Sequence, residues 1–275
     1  MLSKNTLSNI AYKAMARCND ELGTEFSKEN VKLEFFNPRN GKEIYLNFCK
    51  KYFPDWLVEN IDEDGYFESF AAEAFIGDEC DGILIREDID FNKAEWYHTF
   101  IHELSHIACS KEEIEGGHFF KRYCINYADN TTEDGYINAG YAIWREFIAE
   151  CFAREIDENN LPFCLYEIKP LLLDMNAKIE HGNPIAKVYI SQLLINLFTS
   201  DEFYESETFE QFEKALSENE LKEILDLKPI LALIFNHAKA ENGFMIDVDF
   251  IEALGNAYIT VLSNRLFLKR MNLNN

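Results

Sequence analysis

Basic residues are scarce in this chain. Its 275 residues hold 26 Lys and Arg against 49 Asp and Glu, a formal charge of −23. A field of that sign repels phosphate backbones and anionic lipid, so neither a nucleic-acid nor a membrane-surface partner is expected. Proline is also sparse, at 6 residues, and there is no Pro/Ser-rich linker and no repeat period. Long hydrophobic runs are missing: stretches such as Ile230 to Phe235 are far too short to span a bilayer. Met1 to Met15 is interrupted by Lys4, Asn5, Asn9 and Lys13, which leaves no apolar core for a signal peptide. The seven cysteines are odd in number and none stands at Cys-x-x-Cys. That pattern speaks against a disulfide framework or a zinc ribbon, and for reduced thiols in a cytoplasmic protein. What is plentiful is apolar surface. Hydrophobic residues make up 47% of the chain, with 23 Phe and 13 Tyr, enough to build a core without staples.

Apolar spacing predicts a helix over Leu7 to Leu22, a strand over Val31 to Phe36 and a second helix over Glu43 to Phe53, ended by Pro54. Asn37-Pro38-Arg39-Asn40-Gly41 reads as a turn. Phe67 to Ile76 and Gly82 to Arg86 read as two strands of a hairpin. From Asn92 onward the periodicity is helical. Lys93 to Cys109 and Tyr141 to Glu158 are expected as helices. Shorter amphipathic segments follow at Glu167 to Lys178, Pro184 to Phe198, Phe209 to Leu216, Asn219 to Leu227, Pro229 to Ala240 and Asp249 to Met271. Breaks are expected at Gly182-Asn183, Ser200-Asp201 and Glu241-Asn242-Gly243. The fold class is therefore α+β and mostly helical, with a boundary near Asn159-Asn160-Leu161-Pro162 separating residues 1–160 from an all-helical lobe, 161–275.

The chemistry concentrates in His98-Thr99-Phe100-Ile101-His102-Glu103-Leu104-Ser105-His106. Four of the six histidines lie between His98 and His118. Within this stretch stands His-Glu-x-x-His. On a helix, residues four apart share a face, so His102 and His106 can both present an imidazole nitrogen to one metal ion. Glu103, the next residue, is placed to take a proton from an activated water. Trp96, Phe100, Ile101, Leu104, Ile107 and Ala108 supply the stripe that would bury this helix, leaving His98, His102, Ser105 and Cys109 on another line. A catalytic zinc takes three protein ligands and leaves one position open. Glu146 is a candidate third ligand, and Glu150, one turn later, is placed to accept the other ring N–H of a ligating histidine. Their helix would bury Ile143, Phe147, Cys151 and Ile156. His118, in Gly116-Gly117-His118, competes with Glu146.

His102-Glu103-x-x-His106 followed by Glu146-x-x-Ala149-Glu150 resembles the gluzincin metallopeptidases, the zincin-fold group of thermolysin. There a glutamate on a later helix is the third zinc ligand, and an acidic residue one turn on supports the site. Glu146-x-x-Ala149-x-x-Phe152-Ala153-x-x-Ile156 is also similar to the helix of small intracellular peptidases that cleave phage and mobile-element repressors. The stretch around His118 resembles the third-histidine region of SprT-like proteases, except that Phe119 replaces the glycine after the histidine. The resemblance covers two helices and the strand before them, and not the last 110 or so residues.

It implies a zincin-like metallopeptidase domain over 1–160, one Zn²⁺ on His102, His106 and Glu146, Glu103 as general base, and a protein or peptide substrate. By ligand type alone manganese, cobalt or nickel could also bind. Tyr136 and Tyr141, in or beside a stretch bracketed by Gly135 and Gly140 and read as a loop, are candidates to donate to a tetrahedral intermediate. Two other classes fit the composition: a non-catalytic regulator on the same scaffold, and an acidic mimic of DNA, which rests on charge alone.

Overall fold

A computed structural model describes residues 1–59, 61, 66–111, 114, 132–157, 168–169, 173, 193–219, 221, 227–240 and 245–272. The chain divides into two compact units: Met1–Asn126 with Ala149–Asn160, and Tyr127–Ile148 with Leu161–Asn275. The described residues form an α+β, mostly helical structure, with a small mixed sheet in the N-terminal part and helices alone in the C-terminal part.

In the first unit, helix α1 (Lys4–Leu22) begins where the Ser3 side chain accepts a hydrogen bond from the Thr6 N–H, and it stops at Gly23. Gly23 has φ 68° and sends its N–H back to the Asn19 carbonyl, a left-handed stop that a side chain would strain. Strand β1 (Val31–Phe36), helix α2 (Gly41–Tyr52), strands β2 (Ala72–Phe75) and β3 (Asp81–Arg86) and helix α3 (Lys93–Lys111) follow. The sheet order is β1-β3-β2. β1 pairs with β3 in parallel, from Val31 opposite Asp81 to Phe36 opposite Arg86. β2 and β3 form the expected antiparallel pair, Ala72 opposite Ile85.

The central strand is apolar on both sides because both sides are covered. Ile83 and Ile85 pack with Leu7, Ala11, Met15, Phe100, Leu104 and Ile107 of α1 and α3. Leu84 faces the other way, among Phe36, Tyr45, Phe48, Phe53 and Phe75. Burying each such side chain fully is worth roughly 1.5–3 kcal/mol, so a few residues of β3 hold both layers. β2 is shorter than the strand expected from Phe67. Phe67 lies in a 3-10 turn (Tyr66–Glu68) and inserts between Phe36 and Tyr45, with ring centroids 5.7 and 6.1 Å away. Aromatic burial wins over continuation of the strand. α3 is fastened to the start of β3 by an ion pair between the Lys111 ammonium and the buried Asp81 carboxylate.

Helix α4 (Thr132–Ile156) begins nine residues before the expected Tyr141. Gly135, Tyr136, Gly140 and Tyr141 are therefore helical rather than a loop, and Tyr141 is fully buried. At Gly140 the reason for a glycine inside the helix is steric. Within the second unit α4 crosses helix α8 (Val248–Asn272) so closely that a Cβ on Gly140 would lie 2.0 Å from the Ile251 carbonyl oxygen, and one on Gly255 would lie 1.8 Å from that of Tyr136. Backbone, not a yielding side chain, occupies both positions. Gly255→Ala is accordingly expected to lower stability by about 1–3 kcal/mol or more, as overpacking does. A thermal melt indistinguishable from wild type would show that the two helices do not cross there.

The rest of the second unit comprises a helical run over 193–198 and helices α5 (Asp201–Glu205), α6 (Phe209–Glu218) and α7 (Lys228–Ala238). Ser200-Asp201, expected as a break, is where the Ser200 side chain caps α5 by accepting from the Phe203 N–H. Thr208 and Gln211 form a reciprocal capping box on α6. Phe198, Phe203, Phe212 and Phe235 fill the centre of this unit, with successive ring centroids 5.2 to 5.8 Å apart. The segments expected over 167–178, 184–192 and 220–226, the breaks at 182–183 and 241–243, and the boundary at 159–162 fall largely or wholly outside the described residues. No helix among the described residues is long and apolar enough to cross a membrane.

Candidate metal centre

α3 carries the His-Glu-x-x-His residues on a helix that is buried nearly all round. The expected stripe, Trp96, Phe100, Ile101, Leu104 and Ile107, is fully enclosed. Ser105, His106 and Cys109 are buried as well, and Glu103 is only 8% exposed. A helix so enclosed fixes the directions of its polar side chains, because they have few rotamers left to choose from. The His102 and His106 rings lie 4.8 Å apart, centroid to centroid, at 89° to each other.

On α4, Ile143, Phe147, Cys151 and Ile156 form the expected buried line. Glu146 and Glu150 stand beside it. One ligand atom each from His102, His106 and Glu146 lies within 4.8 Å of the others, a group that could hold a metal ion. Two imidazoles and one carboxylate are a donor set that suits a divalent transition metal with an open position. Glu146 is the most open of the three, its side chain 36% exposed against 17% for His102.

Glu150 is directed at the histidines rather than into solvent. His102 Nδ1–H donates to its Oε2 at 3.0 Å, which leaves the ring's lone pair on Nε2, free to face a metal ion. His98 Nε2–H also donates to Glu150, at 3.2 and 3.3 Å to the two oxygens, and Arg154 Nε donates to Oε1 at 2.9 Å. Burial by itself pushes the Glu150 carboxyl up. The hydrogen bonds and charges of His102 and His98 outweigh it and hold the group well below the ordinary carboxylate range. His98 in turn uses its other nitrogen, donating from Nδ1 to Asp157 Oδ2 at 3.1 Å. Desolvation lowers the readiness of His98 to hold its second proton, and the Glu150 carboxylate more than restores it, so its pKa is raised.

The sequence brought out His102, Glu103, His106, Glu146 and Glu150, and the structure brings the two histidines together with both glutamates. His118 lies outside the described residues. Tyr136 and Tyr141, helical in α4, lose the loop placement that made them candidates as donors. Sequence reasoning does not single out Arg154 or Asp157, and does not pair His98 with them. Their spacing carries a trace of the arrangement: His98 precedes His102 by four residues, Arg154 follows Glu150 by four, and Asp157 by seven. Among the described residues Cys18, Cys49 and Cys80 are free thiols, and burial pushes Cys18 and Cys49 up to about 12, which makes both inert in the folded chain. Compared with known proteins, the chain matches no protein-family model, no curated protein and no solved structure.

Proposed function

We propose that the protein is a zinc-dependent metallopeptidase that hydrolyses peptide bonds of an intracellular protein or peptide. The observation that carries this reading is the convergence of His102, His106 and Glu146 beside a glutamate, Glu103, that belongs to the same helical turn as the first histidine. His102, His106 and Glu146 would hold one Zn²⁺. When bound, that ion supplies a Lewis acid that makes water nucleophilic near neutral pH and polarises a scissile carbonyl. Glu103 accepts the proton of the attacking water and passes it to the leaving amine. Glu150 keeps the His102 ring in the metal-binding tautomer.

The test is metal stoichiometry followed by turnover. The purified protein should retain about one zinc per chain by elemental analysis, and should cleave an unfolded protein pool in a manner abolished by a chelator and restored by zinc. Bound metal with no turnover would move the reading to a non-catalytic scaffold that regulates by binding. No metal uptake at all would end it.

A further inference from the structure

His98 and Asp157 have no part in the scheme above, yet they are joined to it through an unbroken set of hydrogen bonds. α3 presents His98, His102 and His106 at intervals of four. The facing residues are Glu146, Glu150 and, past the end of α4, Asp157. His106 and His102 group with Glu146, His102 and His98 with Glu150, and His98 with Asp157. The order on one helix is the reverse of that on the other. The candidate centre is thus the open end of an antiparallel ladder of imidazoles and carboxylates, and its far rung is closed by Asp157, whose side chain is only 5% exposed.

The central rung decides the outcome. Glu150 has two oxygens and, among the described residues, three side-chain donors, His102, His98 and Arg154. Arg154 holds Oε1, His102 Nδ1 meets Oε2, and His98 Nε2 braces both oxygens at 3.2 and 3.3 Å, so that the carboxylate plane is fixed with Oε2 towards His102. If the His98 donor is lost, Glu150 loses the brace across its two oxygens and is freer to rotate towards Arg154 and away from His102 Nδ1. Asp157 does for His98 what Glu150 does for His102: by accepting from one nitrogen it sets which way the ring faces.

We infer that His98 and Asp157 are positioning residues for the metal centre, acting through Glu150 to fix the orientation and tautomer of His102. This rests on the reading of His102, His106 and Glu146 as ligands. Outer-shell partners of ligating histidines are typically worth 10–100-fold in metal affinity, and the same magnitude is expected here.

The experiment is a Zn²⁺ titration against a competing chelator with the full chain. It compares wild type, His98→Phe, His98→Gln, Asp157→Asn, Glu150→Gln and the double variant His98→Phe/Glu150→Gln, with a metal-free thermal melt for each. Expected is a loss of zinc affinity of about 10–100-fold for His98→Phe and Asp157→Asn. His98→Gln, which keeps an N–H donor, should recover part of the loss. The double variant should bind no more weakly than Glu150→Gln alone, because His98 acts through that residue. A merely structural His98 would shift the melts and leave affinity in place. Should His98→Phe not fold, Asp157→Asn makes the same test with the ring retained. Tight zinc binding by wild type together with unchanged affinity in both variants, or additive losses in the double variant, would overturn the positioning role and leave the three ligands standing. Failure of wild type to bind zinc would overturn both.

Discussion

Glu103→Gln is expected to keep its metal and lose its turnover, by about 10²–10⁴-fold, the usual worth of a general base. The substitution is nearly isosteric, so α3 should pack unchanged around a residue that is 8% exposed. What disappears is the capacity to take a proton from water. The amide has hydrogen-bonding groups but no basic oxygen at neutral pH. The measurement pairs zinc content with the rate of cleavage of an unfolded protein pool. Equal zinc and a collapsed rate identify Glu103 as the base. Cleavage at the wild-type rate would remove it from that role and require another proton acceptor.

Glu146→Ala is expected to strip the metal, and His118→Ala to leave it bound. The loss for Glu146 should exceed the roughly 10–100-fold that outer-shell groups are worth, because one of three direct ligands is gone. The ground for choosing Glu146 is positional: its carboxylate shares one cluster with the two imidazoles, and it lies one turn from Glu150, which already engages His102. Elemental analysis of the two purified variants reads the answer directly. Loss of zinc from His118→Ala with retention in Glu146→Ala would transfer the third ligand to the histidine, and the glutamate would then be an ordinary solvated side chain.

The parts of this molecule that are legible in the sequence are those governed by local spacing. The α3 stripe from Trp96 to Ile107 follows from helical periodicity, and so does the shared face of His102 and His106. The Val31–Phe36 strand and the hairpin partner at 81–86 follow from β-branched and aromatic runs bounded by turn residues. Where local rules misled, a distant neighbour had intervened. Gly135 and Gly140 read as loop punctuation, but both are helical, and α8 approaches Gly140 too closely for any Cβ, so that Gly140 serves a helix crossing. Phe67 reads as strand, but the aromatic layer under α2 offers it a better place. Ser200 reads as a break and is one in effect, since it caps the helix that follows.

Residue spacing alone determined which side chains could chelate, because four-residue intervals on a helix are a property of the backbone and need no partner. It also determined the acidic charge and the two-sided apolar character of β3. Which of those side chains meet was decided only by tertiary structure. His98 and Asp157 are 59 residues apart in the chain, and His102 and Glu150 are 48 apart. No local propensity encodes such pairings. They exist because α3 and the end of α4 are each locked by burial in one shared apolar cluster, which leaves their polar residues a single face on which to find one another.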